Sequence, residues 1–281
     1  DLLPGTPICW TVFPQAGAGG RRLFESEAPG PTKDQLRPRV RETGLVLWRI
    51  YAGFTAALAG LLMAQGMSFF DAACHAFTTM ATGGFSTKNA SIAGFESASI
   101  EWTITLFMLF AGVNFGLYYA ALRGRGWRAL KDAELYTYGL IVLVATVLLS
   151  WTLLPTYDAQ PLEALRYGAF QVASLVTSTG YGTADFNTWP AFARSGLILI
   201  IFVGGMGGST AGGFKVSRAM IVASAAIGEV RNVLHPRAVF STRLGSQPVE
   251  DRVVRQVLAL FVIAVGLLAF GTLALSILGV P

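Results

Sequence analysis

Residues 178–183 read Ser178-Thr179-Gly180-Tyr181-Gly182-Thr183, and residues 81–87 read Ala81-Thr82-Gly83-Gly84-Phe85-Ser86-Thr87. Each Thr-Gly step closes a segment, Ser68 to Thr87 or Pro161 to Thr183, that is too short or too polar to cross a bilayer. Both segments open as helices. Ser68 and Asp71 form an S-x-x-D pattern that can satisfy free amides at a helix start, and Pro161 suits a first helical turn. An isolated Thr-Gly step is usually no more than a turn. Two of them, with Gly83 set against Gly180 and each behind a short helix, read as one unit used twice.

The flanking sequence supplies the membrane. Of 281 residues 53% are hydrophobic and 13% charged, a balance more apolar than that of ordinary soluble domains, with a mean hydropathy of +0.54. Five uncharged stretches approach the roughly 20 residues a spanning helix needs: Ile50–Met67, Trp102–Leu122, Leu135–Tyr157, Ser195–Phe214 and Gln256–Pro281. Of the 21 Lys and Arg, all but Lys88, Arg166 and Arg194 fall between 21 and 49, 123 and 131, or 215 and 255. Basic connections face the cytoplasm, and five spans give the matching parity. The net charge of +5 is therefore topological and does not point to nucleic acid. Trp48, Trp102, Trp151 and Trp189 lie near stretch ends, where headgroup anchors belong. Cys9 and Cys74 follow no metal-ligand spacing. With no initiator Met and no signal-peptide pattern, the chain reads as truncated at its start.

The fold class expected is thus an all-α multi-pass membrane protein made of tandem parallel repeats: helix, re-entrant pore helix with a glycine loop, helix. Residues 1–20 would end a preceding repeat, 21–123 and 124–249 would be complete repeats, and 250–281 would begin another. Both glycine loops would then enter from the outside. Irregular backbone at membrane depth is tolerated only where it is buried in protein or lines a watery cavity. Glycine admits left-handed angles that can aim successive carbonyls one way, and Thr adds a hydroxyl oxygen. Such oxygens can replace the hydration shell of K⁺, and Thr179-Gly180-Tyr181-Gly182 is close to the TVGYG potassium filter. The C-terminus of each short helix would also favour a cation.

Three segments carry a family resemblance: Pro29-Gly30-Pro31-Thr32-Lys33-Asp34, His75 through Thr87, and Gly207-Gly208-Ser209-Thr210-Ala211-Gly212-Gly213-Phe214-Lys215-Val216. From about Gly17 onward the chain resembles the TrkH/KtrB potassium transporters. That resemblance implies four channel-type units fused in one chain, of which two filter loops lie here. It also implies a homodimer in the bacterial inner membrane and a cytoplasmic nucleotide-binding regulatory subunit of the TrkA/KtrA type. Its lipid-embedded pore would take K⁺ as the transported ion, with no organic cofactor. The K⁺-binding filter maps onto Thr82 and Gly83 in one unit and onto Thr179, Gly180, Tyr181 and Gly182 in the next. A Na⁺/K⁺ transporter of the same superfamily is the alternative.

The stretch Ser195–Phe214 is crowded with Gly204, Gly205, Gly207, Gly208, Gly212 and Gly213, each costing a helix about 1 kcal/mol relative to Ala. Gly204, Gly208 and Gly212 also satisfy the small-xxx-small rule of close helix packing. The family resemblance implies an unwound gating loop that includes Ser209, Thr210 and Lys215. Lys215 at the end of this stretch either serves the pore or snorkels to the interface. No phosphate-binding motif is present, because Phe214 follows Gly213. A membrane serine hydrolase using Ser209 and His75 is the enzyme alternative, disfavoured by the lack of G-x-S-x-G. The expectation is accordingly a transporter and not an enzyme. Asn114 is a polar residue within an apolar stretch, equally suited to an interhelical hydrogen bond or to a pore lining.

Overall fold

The computed structural model describes residues 40–126, 131–235, 242–245 and 247–277. The leading tail with Cys9, the Pro29–Asp34 segment and part of the basic connections lie outside the described residues. Contacts divide the chain into two compact units that meet between Val216 and Ser217.

The first unit repeats one order of elements. Helix α1 (Val40–Ala64) leads to a shorter α2 (Phe69–Met80), a loop, a 3-10 turn at Ser91–Phe95 and α3 (Ala98–Ala111). After α4 (Phe115–Ala120), α5 (Ala133–Leu153) leads to α6 (Pro161–Val176), a loop, a 3-10 turn at Phe186–Thr188 and α7 (Ala191–Val203). The helix starts are chemical. Ser68 Oγ accepts the Asp71 amide at 3.1 Å, the Asp132 carboxylate accepts the Glu134 and Leu135 amides, and Pro161 occupies the first turn of α6. The second unit, from Ser217, holds all but the first residue of α8 (Val216–Leu234), an antiparallel pair of two-residue strands β1 (Arg243–Leu244) and β2 (Gln247–Pro248), and α9 (Asp251–Ile277). That short pair is the one departure from an all-α chain among the described residues.

Gly44–Ala64, Ala133–Leu153 and Asp251–Ala274 are each long and apolar enough to span a membrane. Their outward residues, among them Leu143 and Val147 on α5 and Phe270 on α9, are exposed, as lipid as solvent allows. Inside the first unit Leu58, Leu62, Ala76, Met80, Ile104, Met108, Phe170 and Tyr181 form one buried cluster. In lipid such burial gains little from the hydrophobic effect, so close packing and hydrogen bonds carry the tertiary structure.

Two of the five expected spans are not single helices. The stretch Trp102–Leu122 bends by 89° between α3 and α4. Gly112 fits against Tyr138 Oη, which a Cβ there would overlap, and Asn114 Oδ1 restarts the helix by accepting the Gly116 amide at 2.8 Å. The polar Asn114 is thus a cap. The stretch Ser195–Phe214 is helical only to Val203, and α7 with 13 residues is about 20 Å long, short of a bilayer core of about 30 Å. Gly204 ends it at φ 76° and ψ −175°, outside helical space. Gly204, Gly208 and Gly212 therefore share no helix face, and the close-packing reading of their spacing falls. Trp189 also departs from its expected place at a lipid interface: it is 3% exposed, and its indole N–H donates to Tyr157 Oη at 3.3 Å.

Candidate functional site: two loops over a glycine-rich break

The loops after α2 and α6 are built alike, one residue out of the register that Thr-Gly matching suggests. Gly83 and Gly84 both donate to the Thr78 carbonyl, and Thr179 and Gly180 both donate to the Ser174 carbonyl. Thr82 and Gly84 have φ of 52° and 67°; Ser178 and Gly180 have 57° and 86°. Thr78 Oγ1 donates to the Phe85 carbonyl at 3.0 Å, and Ser174 Oγ to the Tyr181 carbonyl at 2.7 Å. The partner of Gly180 is therefore Gly84, the partner of Thr179 is Gly83, and the partner of Ser178 is Thr82. The glycine-aromatic steps Gly84-Phe85 and Gly180-Tyr181 were the sequence signal for this pairing. Left-handed angles at alternate positions free successive carbonyls from the side-to-side alternation of an ordinary strand. Two of those positions hold Thr and Ser, at a cost on the order of 1 kcal/mol or more each, and such strain clusters at functional sites.

One face of α2 braces the first loop. Asp71 Oδ1 accepts from Thr87 Oγ1 at 2.6 Å, His75 Nε2 lies 3.0 Å from Ser86 Oγ, and Thr78 reaches Phe85. The spacing of 71, 75 and 78 puts all three on one side of the helix. Hydrogen bonds from Thr87 and then Ser68 hold the exposed Asp71 carboxyl below its ordinary pKa. Tyr181 ties the second loop to this face. Its ring is 1% exposed, and its hydroxyl shares a hydrogen bond of 2.5 Å with Thr78 Oγ1. Gly182 is held from both sides, donating to Ser91 Oγ at 3.2 Å and accepting from the Ala93 amide at 3.3 Å. Thr179 is 3% exposed with its hydroxyl on Thr177 Oγ1 at 2.7 Å. Side chains of Tyr181 and Thr179 thus pack into protein, and what this part of the loop can present to a pore is main chain. Between the two repeats of the first unit, the Glu101 carboxylate of α3 lies 3.3 Å from the Arg166 guanidinium of α6, an ion pair with Glu101 buried and Arg166 part-buried.

The break after α7 is an ordered loop. Its ends meet at Gly204 and Gly213, where any Cβ would overlap backbone, and the Val216 amide donates to the Gly205 carbonyl at 2.9 Å. Three bonds fasten it to the bend between α3 and α4: Met206 N to Gly112 O at 2.9 Å, Phe115 N to Gly208 O at 3.2 Å and Thr210 Oγ1 to Ala111 O at 3.1 Å. The Gly207 amide donates to Glu134 Oε1 at 2.7 Å. The loop also touches both re-entrant loops at equivalent positions. Thr82 Oγ1 donates to the Thr210 carbonyl at 2.9 Å, and Gly212 packs against the Ser178 side chain. Lys215, at φ 78°, folds its ammonium back onto the Ala211 carbonyl. Ser209 Oγ donates to the Met206 carbonyl, and the His75 nitrogens face Asp71 O and Ser86 Oγ. These two residues make no nucleophile-base pair, so hydrolase geometry is not present. Neither the bend nor the role of Glu134 was readable beforehand, because each is defined by backbone groups far apart in sequence.

Comparison with known proteins gives the same direction. The family model described as "TrkH: Cation transport protein" matches residues 8–280. The "Trk system potassium uptake protein TrkH" of Halomonas elongata is 39% identical over 275 residues, covering 92% of this chain and 56% of that protein. The protein of the same description from Salmonella typhimurium is 38% identical over 255 residues, covering 89% and 52%. The crystal structure of the potassium transporter TrkH from Vibrio parahaemolyticus superposes with a TM-score of 0.82 at 31% identity, covering 96% of this chain and 56% of that one. The chain spans about half the length of the relatives it matches.

Proposed function

This chain belongs to the TrkH family of cation transport proteins, and from that premise we propose that it forms half of a K⁺-uptake pore in a bacterial cytoplasmic membrane. Gly84 and Gly180 with their neighbours Gly83 and Thr179 present filter carbonyls, and residues Gly204–Lys215 form the gate. The observation that carries this reading is that Thr82 and Ser178, equivalent residues of the two loops, both meet the glycine-rich break. A loop touching the same point of two re-entrant segments blocks the path they share. Helices α2 and α6 end at the two loops, so their partially negative C-termini favour a cation there. Carbonyl oxygens then replace part of the ion's hydration shell.

The whole protein would complete the filter with further loops, assemble as a homodimer among membrane lipids and respond to a TrkA/KtrA-like nucleotide-binding subunit. It would act as a transporter, with K⁺ as cargo and no chemical step. Growth of a K⁺-uptake-deficient bacterium on limiting K⁺, rescued by the full-length protein with rubidium uptake alongside, tests the reading. Rescue that depends on Na⁺, or Na⁺ flux exceeding rubidium flux, would replace it with the Na⁺/K⁺ alternative.

A further inference from the structure

We infer that Glu134 is the latch that holds the gating loop shut, an inference that rests on reading Gly204–Lys215 as a gate. Four hydrogen bonds fasten this loop to the bend and to α5. Two join backbone to backbone, and a third joins the Thr210 hydroxyl to a helix carbonyl. The fourth alone uses a carboxylate, Glu134 Oε1, accepting the Gly207 amide at 2.7 Å. A charged acceptor makes the stronger kind of bond, and in a half-buried setting it is screened less than on an open surface.

The place of Glu134 suits a latch. It sits in the first turn of α5, two residues after the Asp132 cap. That turn follows the basic connection 123–131, which the charge pattern puts at the cytoplasmic face. The Gly207 amide it holds lies between the two bonds that fasten Met206 and Gly208 to the bend. Pulling α5's first turn away would free this middle contact while leaving the neck at Gly204 and Gly213 closed. A movement of α5's first turn therefore reaches the loop through the Glu134 side chain, and the rest of α5 need not move. The chemistry defines Glu134 as a positioning residue: it acts on the loop and does not touch the ion.

The test uses the full-length protein in liposomes at matched dimer content, in the original background and in one lacking Gly207–Gly212. Glu134→Ala should raise rubidium flux without the regulatory subunit roughly tenfold, the scale set by losing a charge-assisted hydrogen bond. Glu134→Gln, which keeps an acceptor oxygen, should restore most of the closure. In the loop-deleted background both substitutions should have no further effect. Hydrogen exchange of peptides covering 204–215 should speed up in Glu134→Ala and stay slow in Glu134→Gln. If the deletion raises flux but Glu134→Ala changes neither flux nor exchange, the latch is wrong and the gate stands. Should Glu134→Ala raise flux equally with the loop deleted, Glu134 acts elsewhere and the latch is overturned. A deletion that leaves flux unchanged in assembled dimers removes the gate, and the latch with it.

Discussion

The backbone of Gly84 lies directly against the carbonyl of Thr179, so that a Cβ on Gly84 would overlap that carbonyl. Gly84 also has φ 67°, where any L side chain is strained. Gly83 has neither restriction: a Cβ there would meet the Phe85 ring at 3.6 Å, an ordinary contact. Gly84→Ala should therefore abolish rubidium uptake or assembly, with a penalty of at least 1–3 kcal/mol by order of magnitude. Gly83→Ala should assemble and keep much of its flux. Equal loss in both variants would undo the one-residue register that pairs Gly84 with Gly180.

The hydroxyl of Thr82 shares its one proton between two carbonyls, Thr210 O of the glycine-rich loop at 2.9 Å and its neighbour Ala81 O at 2.7 Å. Removing it in Thr82→Ala should loosen the loop by about 1 kcal/mol, or roughly fivefold in basal flux. Thr82→Ser keeps the hydroxyl and should behave like the parent. Liposome flux of assembled dimers compares the two, and a Thr82→Ser variant as leaky as Thr82→Ala would remove the hydrogen bond from the account.

How far the sequence could be read follows from where each feature is encoded. The S-x-x-D start of α2, Pro161 in α6 and the unwinding at Gly204 are local, set by side-chain chemistry within a turn or by crowded glycines. All three were legible. The structural register of the two loops differs from the letter match of Thr82-Gly83 with Thr179-Gly180, because the loops are aligned by bonds to Thr78 and Ser174 and by alternate left-handed angles. The bend at Gly112 was missed because hydropathy runs through it unchanged. Its causes are Tyr138 from another helix and the loop bonds to Gly112 and Phe115. The Glu101–Arg166 pair was hidden for the same reason: pairing between the two repeats has no sequence spacing.

Tyr181 ties the second loop to helix α2 through the hydroxyl it shares with Thr78. Tyr181→Phe keeps the buried ring and removes that bond, worth about 1 kcal/mol. The full-length protein should still assemble, while the preference for rubidium over Na⁺ falls severalfold. Competition flux at fixed ionic strength measures it, and an unchanged preference would reduce Tyr181 to a packing residue.

Asp71 ties the far end of the first loop to α2, and its pKa lies below the ordinary value of 3.8 because Thr87 and Ser68 donate to the carboxylate. A depressed carboxyl pKa contributes stability that is fully present above the unfolded value and disappears as pH falls through the folded one. The clip should therefore be constant across neutral and mildly acidic external pH and fail only below about 3.8. Thr87→Val, which removes the largest cause of the shift, should move that acid limb of thermal stability upward. An identical acid limb in parent and variant would show that this contact does not hold the loop.

Orientation follows from charge and can be read chemically. Lys88 and Asp185 lie exposed in the connections that follow the two re-entrant loops, while Lys131 and Arg231 lie exposed near the basic segments. If basic connections remain in the cytoplasm, the first pair faces outward and the second inward. Single cysteines at 88 and 185 in a cysteine-free full-length protein should react with an impermeant thiol reagent added to intact cells. Cysteines at 131 and 231 should react only after the membrane is opened. Because all four positions are exposed, a difference in labelling reports sidedness and not burial. Labelling of all four in intact cells would break the topology, and with it the entry of both re-entrant loops from the same side.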